Sequence, residues 1–550
     1  MSDTGAGESM AGTGTASNIS SVDFFRELRD QLGQPAVDDS SSIVEIYGRT
    51  AMPSAPRPSG VVRPQSRDEV IACLKLANKH RKPLYPISGG KNWGLGSGCP
   101  TTEGQVVMDL SGMNRIIEVN EQLGYAVIEP GVTQGQLFQH LQDNQIDLWM
   151  DATGAGPNAT IIGNLMERGY GHSPNGDRFH NSCAFEVVLA DGSVIETGWA
   201  HHPNSQISNL FKTGAGPSLD GLFTQSNLGV VTRATIWLIP KPQAFKAYVF
   251  RIKSDEELAA VVDALRPLRS LGVINSVVHL ANDYRVISGH HQFPYDQFSG
   301  EDPLPEAARA ELRNAMGLGQ WNALGAFYGT KDSVQGSCRA MRKALKKITK
   351  PIFIDDAKLQ WFDRAYRVAK WIPAVQRLND SVTSARSAIA LLKGEPVHNH
   401  LAGSGWRSRK AWQDQPTDPL DRGDGIIWLT PLVPLAGDAC QRFLCSVEPV
   451  FREFGFEPLL TFVMISGRVM CCPTTICYDR SSDVETLRAK ECYRRLLSVC
   501  TEQGFLPYRC GIQSMSTLLQ PNTHGSTISK LKHTLDPLQI IAPGRYQPIN

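Results

Sequence analysis

The chain has 550 residues, 41% hydrophobic and 20% charged, a composition that excludes collagen-like structure and a wholly disordered chain. Its 55 Lys and Arg balance 54 Asp and Glu, so charge gives no reason to expect binding to nucleic acid or to an anionic membrane. At about 150 residues per domain, the length predicts three or four units.

The sequence shows no sign of export or membrane insertion. No apolar stretch approaches the roughly 20 residues that a membrane span needs, and the first 21 residues lack the basic and apolar regions of a signal peptide. We therefore expect a cytoplasmic protein whose 12 cysteines are reduced. The pairs His201-His202 and His290-His291, like His398 and His400, lack acidic or thiol partners nearby, so no metal site is predicted.

Ordered structure is predicted to begin after a polar start. Residues 1 to about 20 are rich in Gly, Ser and Thr, which is typical of disorder, and 52–60 is interpreted as irregular. Ser66 and Glu69 form a capping box, which predicts a helix ending near Lys79-His80. Four short strands follow in the prediction, at 83–87, 106–110, 116–119 and 125–128.

A second capping box, at Thr133 and Gln136, predicts a helix after the Pro130-Gly131 turn. Strands are then expected at 185–189, 194–197 and 230–239. This order favours an α+β fold over a run of βαβ units. After about residue 245, strands alternate with amphipathic helices, so we predict a domain boundary there.

Three glycine-rich stretches lie in the first half of the chain, at 88–98, 153–176 and 214–217. Consecutive backbone N–H groups in such loops can form a nest for an anion. The best candidate, 88–92, follows a predicted strand, although a tight turn between strands would give the same pattern. The spacing of its glycines is wrong for a dinucleotide fingerprint, and no Gly-Lys-Ser/Thr of a Walker loop is present.

Several motifs together, in order along the chain, carry a resemblance. They read PLYPISGGKNWG, VVMDLSGMNRI, AVIEPGVTQGQL, GNLMERGYGHSPNGDRF, FEVVLADGSVIETG, GPSLDGLFTQSNLGVVT and DPLQIIAPGR. The chain resembles the vanillyl-alcohol oxidase/p-cresol methylhydroxylase family of flavoproteins. The resemblance is close over 60–245 and 500–550, and weaker but collinear between them.

The resemblance implies a two-part FAD-binding domain at 58–245, completed by a C-terminal segment at 501–550. An N-terminal tail spans 1–57, and an α+β cap domain at 246–500, with an antiparallel sheet flanked by helices, covers the substrate. The nest would hold the pyrophosphate, and 153–163 and 229–231 would follow the ADP and ribityl portions. The implied FAD-binding residues are Pro86, Ile87, Ser88, Gly89, Gly90, Lys91, Asn92, Gly94, Pro130, Gly131, Thr153, Gly154, Gly163, Asn164, Gly169, Gly171, His172, Gly176, Gly229, Val230, Val231 and Arg545.

The resemblance also implies a reaction, in which a hydride leaves a benzylic carbon for flavin N5 while a phenolate pushes it out. Ionising a phenol of pKa about 10 at pH 7 takes about 4 kcal/mol. Tyr508 and Arg509 match the family's phenolate-binding pair, although a surface Arg at a strand start would look the same. Asp177 matches the acid near N5 that assists proton transfer or activates water, and a turn Asp after Gly176 is its alternative.

The chain departs from the family at informative positions. Leu95 replaces a Tyr that is the third phenolate ligand, and Ser218 replaces another Tyr, so the pocket is expected to be more apolar or larger. Cys471-Cys472 stands where vanillyl-alcohol oxidase has a His pair, one member of which carries FAD. We expect non-covalent FAD; the alternatives are a cysteinyl link through either residue, or two small core side chains.

Three functions remain open at this point. The first is oxidation of a para-alkylphenol or hydroxybenzyl alcohol, with oxygen or an electron carrier reoxidising the flavin. The second is a flavin oxidase of a specialised-metabolite pathway with a larger, non-phenolic substrate, which Leu95 and Ser218 suggest. The third is a degenerate flavin-fold binding protein. The family further suggests a homodimer or larger homo-oligomer.

Overall fold

The computed structural model describes residues 14–369, 386–411, 417–519 and 521–548, and its fold is α+β, as predicted. The α-helices whose bounds lie in these residues are α1 (Gly14–Leu32), α2 (Ser41–Tyr47), α3 (Arg67–His80), α4 (Gln134–Asp143), α5 (Ile161–Met166), α6 (Asp255–Ser270), α7 (Asp283–Ile287), α8 (Glu306–Ala315), α9 (Lys331–Leu345), α10 (Asp356–Ala369), α11 (Pro419–Arg422), α12 (Gly437–Glu453), α13 (Asp483–Glu502) and α14 (Thr523–Leu535).

The strands of the same residues form four sheets. They are β1 (Val37–Asp38), β2 (Gly60–Val62), β3 (Leu84–Ile87), β4 (Val106–Asp109), β5 (Ile116–Asn120), β6 (Tyr125–Ile128), β7 (Leu148–Trp149), β8 (Ser182–Val188), β9 (Val194–Glu196), β10 (Val230–Trp237), β11 (Ile239–Pro240), β12 (Ala244–Ile252), β13 (His279–Asn282), β14 (Trp321–Gly329), β15 (Ile352–Ile354), β16 (Gly425–Leu429), β17 (Leu432–Pro434), β18 (Leu459–Val463), β19 (Val469–Cys471) and β20 (Thr474–Tyr478).

The first sheet has the order β1-β2-β4-β3, and β4 runs parallel to both β2 and β3. The segment β2–α3–β3 is therefore a parallel crossover unit. The sequence analysis missed β2 because it has only three residues and directly follows a Pro-rich stretch. Helix α3 begins as predicted, with the Ser66 hydroxyl accepting the N–H of Glu69 at 3.3 Å.

The second sheet is antiparallel, in the order β5-β6-β10-β8-β9. Helices α4 and α5 pack apolar side chains against it, among them Leu137, Leu141 and Leu165. Thr133 caps α4 by accepting the N–H of Gln136 at 3.1 Å, as its capping box predicts. The two sheets and their helices form the half of the molecule that precedes β12. A short pair, β7 with β11, lies at its end.

The third large sheet contains the remaining nine strands and is antiparallel throughout. Its path is β15-β12-β14-β13-β18-β19-β17, and β20 joins β18 to β16. Helices α6, α9, α12 and α13 bury one face of it in the largest apolar core of the described chain. The opposite face carries Tyr328, whose ring lies 6.4 Å edge-on from that of Trp149 in the first half. The sheet therefore lies over the first half as a cap.

The end of the chain returns to the first sheet. The N–H of Leu84 in β3 donates to Ile540 O at 2.8 Å, and the N–H of Ala542 donates to Leu84 O at 2.8 Å. Lys532 and Asp536 form an ion pair with both side chains fully buried, and Lys532 Nζ also donates to the Asn227 carbonyl at 2.7 Å. The C-terminal segment is thus part of the first half, although the whole cap separates them in sequence.

The predicted disorder of residues 1 to about 20 has a mixed outcome. Residues 1–13 lie outside the described residues, but the prediction was wrong for 14–20, which form the start of α1. Phe24, Phe25 and Leu28, later in that helix, are buried together with residues of α3. Packing of this apolar half therefore stabilises a helix whose polar beginning has no helical signal of its own.

Two further findings on the described residues concern membrane-spanning helices and metal-binding clusters. None of their helices combines the length and apolar character that crossing a bilayer requires. Nor do they contain three or more His, Cys, Asp or Glu side chains grouped so as to hold a metal ion.

The buried ion pair of α14 gives a test of how the chain end is attached. Replacing Asp536 by Ala leaves the charge of Lys532 buried without its partner, so we expect Asp536→Ala to lower the free energy of unfolding by about 3–5 kcal/mol. Chemical denaturation of the holoprotein measures this. Asp147→Ala is the control, because its partner Lys241 is 57% exposed and the loss should stay below about 1 kcal/mol. Equal losses in the two variants would contradict the attachment.

Candidate active site

A cleft of about 150 Å³ opens in the first half of the molecule, beside the loop that follows β3. Many residues singled out in the sequence line it. They are Pro86, Ile87, Ser88, Gly89, Gly90, Lys91, Asn92, Thr153, Gly163, Asn164, Gly229, Val230, Val231, Arg509 and Arg545.

The loop at 88–92 has the properties of an anion nest. Within the described chain, the backbone N–H groups of 89–92 donate to no protein acceptor, and they border the cleft. Gly90 has φ +65°, a conformation that side chains rarely adopt. A Cβ at Gly163 would lie 2.5 Å from Thr160 Oγ1 and 3.2 Å from Ser88 Cβ, so α5 can approach the loop only with glycine there.

Some polar side-chain atoms of the cleft wall have no hydrogen-bond partner within the described part of the chain. Several buried side-chain atoms in the described residues have no hydrogen-bond partner. Three of them, Ser97 Oγ, Asn164 Oδ1 and Arg509 Nε, belong to residues that line the cleft. Leaving such groups unpaired costs free energy. A cofactor with phosphates, hydroxyls and ring heteroatoms would satisfy donors and acceptors of this kind, so the wall fits a flavin nucleotide.

The chain end brings Tyr508 and Arg509 to one end of this cleft. The Tyr508 N–H donates to Thr430 O at 3.1 Å, and the Thr430 hydroxyl donates to Arg509 O at 3.0 Å. Gln225 Nε2 donates to Tyr508 O at 2.8 Å. The Arg509 guanidinium donates to Asn92 Oδ1 at 2.6 Å, so a side chain of the nest loop orients it. The pair is thus fixed between the cap and the first half.

The ionisation of this pair suits an anion site. Burial opposes the charge of Arg509, but the nearby oxygens of Tyr508 and Glu167 outweigh burial and raise the pKa of Arg509. Burial raises the pKa of Tyr508 to about 12, although Arg509 acts against this. At neutral pH the site therefore offers a permanent cation next to a neutral hydroxyl donor.

A cluster of buried apolar side chains, called here the apolar compartment, adjoins Tyr508 on the side of the cap. It is formed by Val277, Val463, Ile465 and Cys471, with Tyr170, Leu432, Val469 and Tyr508 packed against them. Asp177 shares a smaller cavity with Val277 and Ile465. The Asp177 carboxylate accepts the N–H of His180 at 3.0 Å and the hydroxyl of Tyr170 at 3.4 Å. Tyr508 therefore packs against the apolar compartment and Asp177 shares a cavity with two of its members, whereas Arg509 lines the cleft.

Comparisons with known proteins agree with this geometry. A family model described as an FAD binding domain matches residues 58–198. Over 527 residues the chain is 38% identical to 1'-carboxy-chondrochloren decarboxylase of Chondromyces crocatus, covering 94% of this chain and 96% of that protein. Over 533 residues it is 31% identical to the flavoprotein subunit of 4-cresol dehydrogenase [hydroxylating] of Pseudomonas putida, covering 95% and 94%. The crystal structure of substrate-bound p-cresol methylhydroxylase superposes with a TM-score of 0.85 at 28% identity, covering 96% of this chain and 97% of that one.

The chain belongs to the p-cresol methylhydroxylase/vanillyl-alcohol oxidase family. The resemblance inferred from the sequence is confirmed, and with it the FAD cofactor and the FAD-dependent oxidoreductase activity. Homologues in this family act on small-molecule substrates with electron acceptors.

Some predicted cofactor residues of the flavoprotein lie away from the cleft wall. These are Gly94, Pro130, Gly131, Gly154, Gly169, Gly171, His172 and Gly176. Gly171 allows close packing instead, because a Cβ there would lie 1.7 Å from Asp151 Oδ2. His172 stacks on His279 of the cap, with ring centroids 4.6 Å apart. A glycine that admits a ligand and one that admits a neighbouring chain give the same sequence signal.

Other residues also line the cleft of the flavoprotein. Four of them lie in the predicted segment 153–163: Ala155, Ala159, Thr160 and Ile162. The residues that were not predicted are Tyr85, Ser97, Leu110, Met166, Glu167, Phe223 and Ser226. Glu167 forms an ion pair with Arg545 and accepts the Tyr546 hydroxyl at 3.0 Å, and that hydroxyl in turn accepts the N–H of Cys510 at 3.1 Å. In the sequence, the available signal for this network was a Glu in a glycine-rich segment. If such a Glu is buried, it requires a cationic partner.

The two departures from the family differ in their bearing on the site. Leu95 is buried, and its carbonyl accepts the N–H of Ile512 at 3.0 Å, close to the segment that carries Arg509. Ser218 is exposed and does not line the cleft. Leu95 does not line the cleft either, so its connection to the site is its contact with the segment that carries Arg509.

The two candidate attachment cysteines face different surroundings. Cys471 borders the apolar compartment, and burial raises its pKa to about 12. Cys472 lies in the cap core, where burial raises its pKa well above the ordinary range. Since the thiolate is the nucleophile, both environments oppose bond formation to the flavin.

We predict that acid precipitation of the purified holoprotein releases the flavin into the supernatant. The buried thiols of Cys471 and Cys472 stay protonated, so no cysteinyl bond should form. The visible spectra of supernatant and pellet decide the matter. A yellow pellet in wild type that turns colourless in Cys471→Ala, but not in Cys472→Ala, would overturn the prediction.

The contact between α5 and the nest loop gives a second prediction. A valine at Gly163 would collide with Thr160 and Ser88, so we expect Gly163→Val to weaken FAD binding by about tenfold or more. Flavin absorbance per protein and titration of apoprotein with FAD measure this. Gly221→Val is the matched control, because nothing lies within 4 Å of a Cβ at Gly221. Equal FAD affinity of the two variants would contradict the proposed nest.

Proposed function

We propose that the flavoprotein oxidises a para-substituted phenol by removing a hydride from its benzylic carbon. The observation that carries the proposal is the buried Arg509 beside the neutral Tyr508 hydroxyl, at the junction of the cleft and the apolar compartment. A bound FAD supplies the two-electron acceptor for that hydride. Its electrons would pass to oxygen or to an electron carrier.

The phenolic oxygen would bind at Arg509 and Tyr508. A guanidinium charge and a hydroxyl donor favour the phenolate over the phenol, which supplies part of the roughly 4 kcal/mol that ionisation at pH 7 requires. The compartment is apolar, so this attraction is screened less than in water. The ring and its para substituent would occupy the apolar compartment, whose walls come mainly from the cap.

Asp177 would act on the other side of the oxidised carbon. Loss of a hydride from a phenolate leaves an electrophilic quinone methide. A water molecule can add to it, forming a C–O bond while its proton passes to a base. Asp177 is the single carboxylate among the predicted site residues, and it shares a cavity with Val277 and Ile465. This placement supports the role of base for Asp177.

A second candidate is an oxidative decarboxylation of a larger substrate. The relative from Chondromyces crocatus is named as a decarboxylase, and Leu95 removes a hydroxyl that the family offers to the phenol. If the substrate carries a carboxylate on the carbon next to the benzylic one, hydride loss is followed by release of CO₂. The pair of electrons left behind forms the new C=C bond and restores the aromatic ring. Release of CO₂ in step with flavin bleaching would favour this candidate.

The anchor gives a pH-dependent prediction. In Arg509→Met the phenol must ionise without the cation, so we expect kcat/KM for 4-ethylphenol at pH 7 to fall about 10²–10³-fold. The variant's rate should then rise nearly tenfold per pH unit up to about pH 10, as the free phenol ionises itself. Wild type should depend on pH much less. Anaerobic flavin bleaching from pH 7 to 10 measures both profiles.

Arg494→Met is the control, because Arg494 is 68% exposed on α13 and its loss should leave the profile unchanged. A variant at Arg509 that oxidises the phenol as fast as wild type would reject the phenolate anchor, and with it both candidate reactions, and would favour a non-phenolic substrate. A loss at Arg509 that is the same at every pH would show damage to the fold rather than loss of the anchor.

A further inference from the structure

Tyr170 faces Asp177 across a narrow loop of the first half. The backbones of the two residues pair as an isolated antiparallel bridge, and the N–H of Gly171 donates to Gly176 O at 2.9 Å just inside it. Side chains directly opposite each other in such a pair have Cβ atoms about 5 Å apart. Beside this bridge, the Tyr170 hydroxyl donates to Asp177 Oδ2 at 3.4 Å.

The ring of Tyr170 lies between the two ends of the proposed reaction. It meets the ring of Tyr508 edge-on, with centroids 5.6 Å apart and planes at 79°. It also packs against the apolar compartment that contains Cys471. Tyr170 thus contacts the phenolate-anchoring pair with its ring and the proposed base with its hydroxyl.

The hydroxyl of Tyr170 remains a donor at neutral pH. Burial, followed by the negative charge of Asp177, raises the pKa of Tyr170 far above its ordinary value. The other carboxylate oxygen of Asp177 accepts the N–H of His180 at 3.0 Å. Each oxygen of Asp177 therefore has a fixed donor, which sets the direction in which its remaining lone pairs point.

We propose that Tyr170 is a positioning residue for this reaction, and that its hydroxyl holds the Asp177 carboxylate in line with the oxidised carbon of the substrate. The inference rests on the proposed function, because Asp177 is the base that takes the proton of the adding water. Without the hydroxyl of Tyr170 the carboxylate can rotate, so water addition slows. The quinone methide of 4-ethylphenol then loses a proton from its methyl group more often and yields the vinylphenol.

The test measures the ratio of alcohol to vinylphenol formed from 4-ethylphenol by the holoenzyme. In Tyr170→Phe, which keeps the ring against Tyr508, we expect this ratio to fall about tenfold. The rate of anaerobic flavin bleaching should stay within about threefold of wild type, because hydride removal depends on the anchor. In an Asp177→Asn background, the change at Tyr170 should have no further effect, since the two residues act as one unit.

Tyr125→Phe is the matched control. The Tyr125 hydroxyl also donates to a carboxylate, that of Glu118 at 2.6 Å, but on the second sheet outside the site, so its product ratio should equal that of wild type. FAD content and Tm of all variants are measured alongside.

Three results would overturn the inference: an unchanged ratio in Tyr170→Phe, a further loss in the Asp177→Asn background, or a loss that tracks FAD content or Tm. A wild-type flavin that no phenol bleaches rejects the proposed function and this inference with it. An active wild type with an unaffected Tyr170→Phe rejects this inference alone.

Discussion

The pairing of β3 with residues 540–542 is the contact on which the site depends. Leu84 uses both its N–H and its carbonyl for the returning chain end, and four residues later the chain enters the nest loop. The strand that positions the loop is thus completed only when the end of the sequence has folded back over it. The buried pair of Lys532 and Asp536 supports this return, because neither charge is stable in the interior without the other.

The same return delivers charge to the cleft. Arg545 reaches Glu167, and Tyr546 links Glu167 to the backbone of Cys510, next to Arg509. Two arginines and one carboxylate are thereby buried in a small volume with hydrogen-bonding partners for each. Since a fixed charge interacts far more strongly in a dry site than in water, this network supports the proposed binding of an anion beside the cleft.

The cap contributes apolar surface rather than charge. Its sheet presents Val277, Val463 and Ile465 toward the first half, and its other face is buried under four helices. The buried face stabilises the sheet, and the opposite face contributes to the apolar compartment in which we propose that the substrate binds. The stacked rings of His172 and His279 are one of the contacts that hold the cap against the first half. Substrate choice can then change through a few side chains while the flavin half keeps its form.

The local elements and the family could be predicted from the amino-acid sequence alone. The capping boxes at Ser66 and Thr133 act over three residues, so the helices they begin could be predicted without knowing what packs on them. Strand β6 was predicted at both ends because its short apolar run is followed by the Pro130-Gly131 turn. The order of the motifs identified the flavoprotein family and hence FAD, which no single glycine loop could have done.

Which side chains meet could be seen only once the folded chain was known. Arg509 and Asn92 are 417 residues apart in sequence, yet their hydrogen bond orients the proposed anchor. The glycines could not be sorted into those at the cleft and those, such as Gly171, that admit a neighbouring side chain, because both need the same absence of a Cβ. Tyr170 carried no signal at all, since its meaning comes from Tyr508 across the site. Contacts between distant segments depend on how sheets and chain ends close on one another, and no local pattern records that closure.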